Sequence, residues 1–147
     1  MDVTDVSLSE QLCFSVYQAN HLFNQFYQKA LKDFDLTYPQ YLVLLALWEK
    51  DGQSVRDLAG TLGIGSNTLT PMLKRMETMG WLTRTRPDND QRRLIISLTV
   101  QGLNERQAIG TALANCIQEP ADLDDGSYKE MLTVNKRLIS LLKDMVD

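Results

Sequence analysis

The chain has 147 residues, of which 44% belong to the apolar set and 23% are charged, and its formal net charge is -4. This composition is typical of one folded soluble domain and excludes a disordered or fibrous chain. The longest apolar run has eight residues, 41–48, whereas a membrane span needs roughly 20, so no membrane partner is expected. The acidic N-terminus lacks the order of a secretory signal, which predicts a cytoplasmic protein.

The first half of the chain has helical apolar spacing. From Leu8 to Leu31 the apolar residues recur at three- and four-residue steps, which predicts one long helix. Thr37 is predicted to cap a second helix that runs through Trp48, with Pro39 in the first turn, where a missing N–H is harmless. Because this second helix is apolar almost all round, it is expected in the core.

Two short helices around a glycine turn come next. Ser54 is followed three residues later by Asp57, a capping-box pattern that predicts a third helix. The glycine-containing bend at 63–65 leads to a fourth helix, which Ser66 is expected to cap and which ends near Gly80. Helix, tight turn and helix in this order predict a helix-turn-helix.

A β-hairpin, the wing, is predicted after the fourth helix. The segments 81–86 and 94–98 are rich in β-forming residues and flank the turn-forming residues 87–90. Charge is concentrated here, because between Lys74 and Arg93 six Lys or Arg stand against three acidic residues, which leaves +3 inside an acidic chain. One surface for phosphates is therefore expected.

Two further helices complete the predicted fold. One amphipathic helix is predicted from Thr99 to the break at Pro120, and a capping-box pattern of Ser127 and Glu130 opens the last helix. The fold class predicted from these elements is mainly α with a small β-hairpin, arranged as a winged helix-turn-helix.

The fourth helix carries the residue types that read DNA. A recognition helix presents short polar groups at its N-terminal end to base edges and basic groups further on to phosphates. The candidates for these two roles are Ser66, Asn67, Thr68 and Thr70, and then Lys74 and Arg75. Any one of them is equally well explained by a capped, solvated helix. The order of helix, turn, helix and basic hairpin is what favours DNA binding.

The wing supplies further cations. Arg92 follows the turn directly, where a hairpin tip can insert a guanidinium into a narrow minor groove. Asp90, two residues earlier, is expected to orient Arg92 through a charge-assisted pair. Phosphate contacts are expected from the remaining arginines of the hairpin, Arg84, Arg86 and Arg93.

Several sequence strings resemble the MarR superfamily. They are LTYPQYLVL at 36–44, TLTPMLKRME at 68–77 and ISLT at 96–99, while QLCFSVY at 11–17 resembles the peroxide-sensing stretch of the organic-hydroperoxide repressor (OhrR) branch. The resemblance extends from Leu8 to Thr99. It implies a repressor that senses organic hydroperoxides through Cys13, with Tyr27 and Tyr38 of the partner subunit donating hydrogen bonds to its sulfur.

The chemistry of a peroxide sensor fits these residues. Thiolate, not thiol, attacks a peroxide, and hydrogen bonds to sulfur favour the thiolate. In a reducing cytoplasm a bridge between Cys13 and Cys116 is a regulated event. Some members of the branch form an intersubunit disulfide in this way, so Cys116 is either a resolving cysteine or a core cysteine. The aromatic residues expected around the thiol are Phe14, Phe23, Phe26 and Trp48.

The resemblance also implies a homodimer on pseudo-palindromic double-stranded operator DNA. The first, fifth and last predicted helices interlock, and two winged domains reach half-sites about one DNA turn apart. One domain then spans 1–147, with the winged helix-turn-helix at 37–99 and dimerisation helices at 1–36 and 100–147. The chain departs from the branch at Gly65-Ser66-Asn67, where Asp-Ser-Gly is common, and at Gln91, where an acidic residue is usual.

Three other functions stay open at this point. A small phenolic ligand is an alternative trigger, with Cys13 merely structural. A thiol peroxidase is a second alternative, although one histidine (His21) and no CxxC leave little catalytic or metal-binding apparatus, so neither enzyme activity nor a cofactor is expected. A protein-interaction module is the third.

Overall fold

The computed structural model of the chain describes residues 6–117 and 124–147. By its contacts the chain divides into two units, Met1–Cys116 and Ile117–Asp147. Within the described ranges no helix has the length and apolar character needed to cross a membrane. The predicted helix break at Pro120 lies outside the described residues.

The first unit begins with two helical segments instead of one. A 3-10 turn spans Leu8–Glu10, and helix α1 spans Leu12–Ala30. The prediction that one helix starts at Leu8 is therefore wrong. Gln11 between the segments has extended backbone angles (φ -79, ψ 120). The Ser7 amide donates to the Glu10 carboxylate at 3.3 Å, which closes the first segment on itself.

Helix α2, Tyr38–Glu49, is the centre of the core. Thr37 caps it as predicted, because its hydroxyl oxygen accepts the Gln40 amide at 3.4 Å while the Gln40 side-chain oxygen accepts the Thr37 amide at 3.0 Å. Val43, Leu44 and Leu47 are fully buried or nearly so. The apolar character of this helix on nearly all sides is thus satisfied by burial.

The helix-turn-helix is formed by α3, Val55–Leu62, and α4, Ser66–Thr78. Ser54 caps α3 as predicted, accepting the Asp57 amide at 3.1 Å, and Gly63 ends it with a left-handed φ of 64 that favours glycine. The predicted Ser66 cap is wrong: Gly65 is the N-cap residue, with no side chain to offer, and Ser66 is the first helical residue.

The predicted hairpin is present, and a third strand joins it. Strands β2, Leu82–Thr85, and β3, Ile95–Leu98, pair antiparallel, with Leu82 opposite Leu98 and Thr85 opposite Ile95. The two-residue strand β1, Gln53–Ser54, pairs with the other side of β3 and gives the order β1-β3-β2. The wing is thereby anchored directly to the start of α3.

The predicted helix after Thr99 is two helices. Helix α5 spans Val100–Asn104 and α6 spans Arg106–Cys116. The division falls at Glu105, the C-cap of α5, although its amide still donates to the Gln101 carbonyl and its own carbonyl accepts the Ile109 amide. Helix α6 packs against α1, and Ile109 is fully buried.

Gly102 in α5 fits where no larger residue does. A Cβ at this position would collide with the backbone carbonyl of Trp81, whereas a Cβ at Gly110 in α6 would meet nothing within 4 Å. We expect Gly102→Ala to lower the free energy of unfolding by about 1–3 kcal/mol, because overpacking moves backbone. Gly110→Ala, the matched control, is expected to raise it by up to about 1 kcal/mol. Denaturant unfolding at one protein concentration tests both, and equal midpoints would contradict the expectation.

The second unit is described by helix α7, Asp125–Val146. The prediction of a Ser127 cap is wrong, because Asp124 is the N-cap and its carboxylate accepts the Ser127 amide at 2.7 Å. That backbone hydrogen bond lowers the pKa of Asp124 below its ordinary value. The helix exposes many large apolar side chains, among them Tyr128, Met131, Leu132, Val134, Ile139, Leu141, Leu142, Met145 and Val146.

Candidate nucleic-acid interface and thiol site

A cleft of about 880 Å³ opens between α3, α4 and the wing. We call it the arginine cleft. Its lining consists of Ser54, Val55, Arg56, Asp57, Ser66, Thr70, Arg86, Arg92, Arg93 and Leu94. Four guanidinium groups against one carboxylate make it electropositive in a chain of net negative charge.

The N-terminal end of α4 borders this cleft with short polar side chains. Ser66, Asn67, Thr68 and Thr70 are all exposed, and Ser66 and Thr70 line the cleft. The Thr70 hydroxyl donates to the Ser66 carbonyl at 2.8 Å, and the Asn67 side-chain oxygen accepts the Thr68 amide at 3.1 Å. These bonds fix the orientation of both side chains before any ligand arrives.

Helix α4 has a buried apolar face and an exposed basic face. Leu69, Leu73 and Met76 are fully buried, while Lys74 and Arg75 are exposed. The basic side chains of this helix are therefore free to meet an external anion without disturbing the core.

Arg84 is half-buried and pairs with Glu77. Its amide donates to one Glu77 carboxylate oxygen at 2.7 Å, and its Nε donates to the other at 3.2 Å. Strand β2 is an edge strand, so Glu77 satisfies a backbone N–H that pairs with no other strand. The pair fixes the wing relative to α4, and the phosphate contact expected of Arg84 stays a prediction.

The wing tip is braced by its own side chains. Arg86 donates through Nη1 to the Gln91 carbonyl at 2.8 Å, and the Gln91 side chain donates to the Pro87 carbonyl at 2.9 Å. The Asp90 carboxylate accepts the backbone amide of Arg92 at 3.1 Å. Asp90 thus orients the backbone of Arg92, which replaces the predicted pair with its guanidinium.

Arg56 was missed by the sequence reasoning. It lies at the start of α3, well before the basic stretch from Lys74 to Arg93, and joins the arginine cleft only through the fold. The signal available in the sequence was its place two residues after the Ser54 cap. A residue there lies in the first turn of the helix that precedes the recognition helix.

The two cysteines occupy different surroundings. Cys13 lies in the first turn of α1 and is exposed, with its sulfur 3.6 Å from the Gln11 side-chain oxygen. Cys116 is half-buried at the end of α6. The aromatic surround expected at Cys13 is not assembled by one chain, since Phe14 stacks on Tyr17, Trp48 packs on Tyr41, and Phe23 is 58% exposed.

The two tyrosines named by the sequence stack on each other. The rings of Tyr27 and Tyr38 are parallel within 8° at a centroid distance of 4.0 Å, and Phe26 meets Tyr27 edge-on at 5.1 Å. Tyr41 lies 5.6 Å from Tyr27. Burial raises the pKa of the Tyr41 hydroxyl, Tyr38 adds to the increase, and the Arg106 guanidinium opposes it.

In the part of the chain that the structure describes, no cluster of His, Cys, Asp or Glu is suited to a metal ion.

Comparison with known proteins places this geometry among transcriptional regulators. The family described as "Transcriptional regulator SarA/Rot" matches residues 25–109. The organic hydroperoxide resistance transcriptional regulator of Bacillus subtilis (strain 168) is 42% identical over 122 residues, which are 80% of this chain and 83% of that regulator. The HTH-type transcriptional regulator TtmR of Methylorubrum extorquens (strain PA1) is 50% identical over 96 residues, 65% of this chain, and the chain spans only 49% of its length.

Solved structures of AbfR of Staphylococcus epidermidis are similar over nearly the whole chain. Reduced AbfR bound to DNA has a TM-score of 0.90 at 43% identity, with 100% of both chains covered. Overoxidised AbfR bound to DNA has a TM-score of 0.83 at 45% identity, with 95% of this chain and 95% of that chain covered. Disulfide-formed AbfR has a TM-score of 0.68 at 45% identity, with 95% of this chain and 92% of that chain covered. At the same identity, the disulfide form is thus the less similar in backbone.

Proposed function

The chain belongs to the OhrR-like branch of the MarR superfamily of transcriptional regulators, and we propose that it is a repressor that releases its operator when an organic hydroperoxide oxidises Cys13.

The arginine cleft carries the DNA-binding part of the proposal. Short polar groups on α4 stand beside a wing whose Arg92 and Arg93 line the same cleft, as needed for one helix in the major groove and a hairpin tip in the adjoining minor groove. Arg56 and Arg86 then neutralise the phosphates between the two grooves. The similarity to DNA-bound AbfR supports this mode.

A homodimer is supported by apolar faces that a monomer rarely leaves in water. On α1 these include Leu12, Val16, Leu22 and Phe23. In the second unit, α7 has an apolar face of its own. In a dimer with twofold symmetry the same face of both subunits forms the interface, and the two winged domains bind the two half-sites of the operator.

The redox step transfers one oxygen atom. The thiolate sulfur of Cys13 attacks the outer oxygen of the hydroperoxide, the S–O bond forms and the O–O bond breaks, and the alkoxide leaves and takes up a proton. Sulfur is oxidised by two electrons and the peroxide is reduced by two, which yields a sulfenic acid and an alcohol. Tyr27 and Tyr38 of the partner subunit are proposed to donate to the thiolate before the reaction.

A disulfide with the partner subunit's Cys116 is proposed as the releasing state. The Cys116 thiolate attacks the Cys13 sulfenic sulfur, the S–S bond forms, and hydroxide leaves to become water. The AbfR structures favour this choice, because overoxidised AbfR is described as bound to DNA, whereas the disulfide form has the more different backbone. A small cellular thiol takes the place of Cys116 if the two sulfurs do not meet.

The test uses operator duplexes selected from a randomised pool by the reduced protein. We expect a small excess of organic hydroperoxide to weaken binding by about 10²-fold or more, because engagement of two half-sites at once is lost. Intact-protein mass spectrometry of the same samples, with and without reductant, is expected to show a Cys13 adduct or a disulfide-linked dimer.

Four results would contradict the proposal. Failure to select any duplex would indicate a protein-interaction module. If Cys13 is oxidised and the DNA stays bound, a small ligand and not oxidation would be the trigger of release. The same conclusion would follow if a phenolic ligand releases the DNA while oxidants have no effect. Sustained peroxide turnover with a thiol reductant would indicate a peroxidase.

A further inference from the structure

A continuous row of aromatic rings leads away from the tyrosine pair along α2. Tyr41 packs on Tyr27 at 5.6 Å, and Trp48 meets Tyr41 edge-on at a centroid distance of 6.1 Å. A second contact on the Trp48 ring comes from the Arg106 guanidinium, which lies over the ring at 5.7 Å from its centroid. Trp48 is thus held by an aromatic contact and by a cation-π contact.

The row ends in hydrogen bonds at the base of the wing. The indole Nε1 of Trp48 donates to the Gly102 carbonyl at 2.8 Å, 54 residues away in the sequence. The Thr99 hydroxyl oxygen accepts the Gly102 amide at 3.1 Å, and this hydroxyl lies 2.6 Å from the Gly80 carbonyl. Gly80 is where the chain passes from α4 into the wing.

This junction has little freedom to absorb movement. Gly102 packs so closely against the Trp81 carbonyl that no Cβ fits, and a Cβ would also approach Leu98 at 3.1 Å. Displacement of Gly102 therefore displaces residues at the start of β2 and the end of β3. Close-packed contacts of this kind change between discrete arrangements and do not yield gradually.

We propose that Trp48 couples the thiol site to the DNA-binding elements, an inference that rests on the proposed redox function. When oxidation of Cys13 removes the acceptor of the Tyr27 and Tyr38 hydroxyls, the tyrosine rings shift, Trp48 shifts with Tyr41, and its hydrogen bond to Gly102 moves the base of the wing. Arg106 keeps the indole in the orientation that makes this bond. Trp48 is a positioning residue and touches neither peroxide nor DNA.

Trp48→Phe tests the coupling because it keeps an aromatic ring and removes the indole N–H. The reduced variant is expected to bind the operator as the wild type does, since the Asp51 carboxylate, which accepts the Leu98 amide at 2.8 Å, still anchors β3. Cys13 is expected to oxidise to the same extent by mass spectrometry. The ratio of reduced to oxidised affinity is expected to shrink by about five-fold or more, the lower end of coupling between sites.

Two further variants complete the test. Gln53→Met removes hydrogen bonds to the carbonyls of Ala46 in α2 and of Lys50, the residue after α2, without touching Gly102, and full release is expected. Arg106→Gln leaves the indole N–H in place and is expected to shrink the affinity ratio in the same direction as Trp48→Phe, by less.

The outcomes separate the coupling from the function on which it rests. If Trp48→Phe and Arg106→Gln release the operator after oxidation as fully as the wild type does, the coupling role of Trp48 alone would be overturned. Slower oxidation of Cys13 in Trp48→Phe would overturn it too, because Trp48 would then act on the thiol. A wild type that keeps its DNA after Cys13 is oxidised would overturn the proposed function and the coupling together.

Discussion

Replacing Cys13 with serine is expected to leave operator binding intact and to abolish release by organic hydroperoxide. Cys13 is exposed on α1 and is not among the residues that line the arginine cleft, so the substitution changes no DNA contact. A serine hydroxyl has no thiolate form and does not take an oxygen atom from a peroxide. Fluorescence anisotropy of a labelled operator, titrated before and after treatment, measures both properties.

The matched control is Cys116→Ser, which removes the other cysteine and leaves Cys13. We expect this variant to be oxidised at Cys13 but to stay on DNA while the wild type loses about 10²-fold or more in affinity, because no intersubunit disulfide forms to prevent engagement of both half-sites at once. Release of Cys116→Ser equal to that of the wild type would exclude a resolving role for Cys116. Release of Cys13→Ser by peroxide would instead exclude Cys13 as the sensor.

The sequence predicted the parts of the fold that have strong local signals. The Thr37 and Ser54 caps, the glycine-containing bend after α3 and the turn between β2 and β3 are all present. Each signal is a residue type at a fixed offset from an apolar run, so it survives without tertiary information. The resemblance to the MarR superfamily then implied which helices form the dimer and how the two winged domains are arranged.

The errors have a common physical cause. Ser66 and Ser127 are both good capping residues, but each lies one or more positions inside its helix, because the preceding residues Gly65 and Asp124 take the cap. Several residues near a helix start are able to cap it, and the N-cap is the one whose backbone is extended, as it is at Gly65 (ψ 141) and Asp124 (ψ 168). The two-residue strand β1 exists only through its pairing with β3, so it has no periodicity to detect.

The candidate site was predictable in composition but not in geometry. The basic stretch identified the wing, whereas Arg56 enters the arginine cleft from another helix. Arg84 was assigned to phosphate on charge alone, and only the fold shows that Glu77, seven residues before it, holds it in place. A charge count measures how many cations a segment has and says nothing about which of them are already paired.

The largest loss of DNA affinity is expected for Arg92→Ala in the wing. Arg92 is exposed at the tip, where the Asp90 carboxylate fixes its backbone. A guanidinium in a narrow minor groove reads groove width, so its removal is expected to weaken the selected operator by about 10–100-fold and to weaken unrelated duplexes much less. Arg92→Lys keeps the charge without the planar donor group and is expected to recover only part of the loss.

Arg56→Gln is expected to behave differently although it removes the same charge from the same cleft. If Arg56 contacts phosphate alone, its loss weakens all duplexes alike and lowers the slope of log affinity against log salt by about 1. Lys50→Gln is the charge-matched control, because Lys50 is exposed but does not line the arginine cleft. Anisotropy titrations of the operator and of a scrambled duplex at several salt concentrations separate these cases.

The comparison of the three variants decides whether the arginine cleft is one DNA-binding surface with two kinds of contact. Sequence-dependent loss at Arg92, uniform loss at Arg56 and no change at Lys50 would agree with a wing in the minor groove and α3 on the backbone. Equal, uniform losses at all three would mean that net charge alone governs binding. In that case the cleft geometry would have no part in operator choice, and specificity would have to come from the α4 side chains Ser66, Asn67, Thr68 and Thr70.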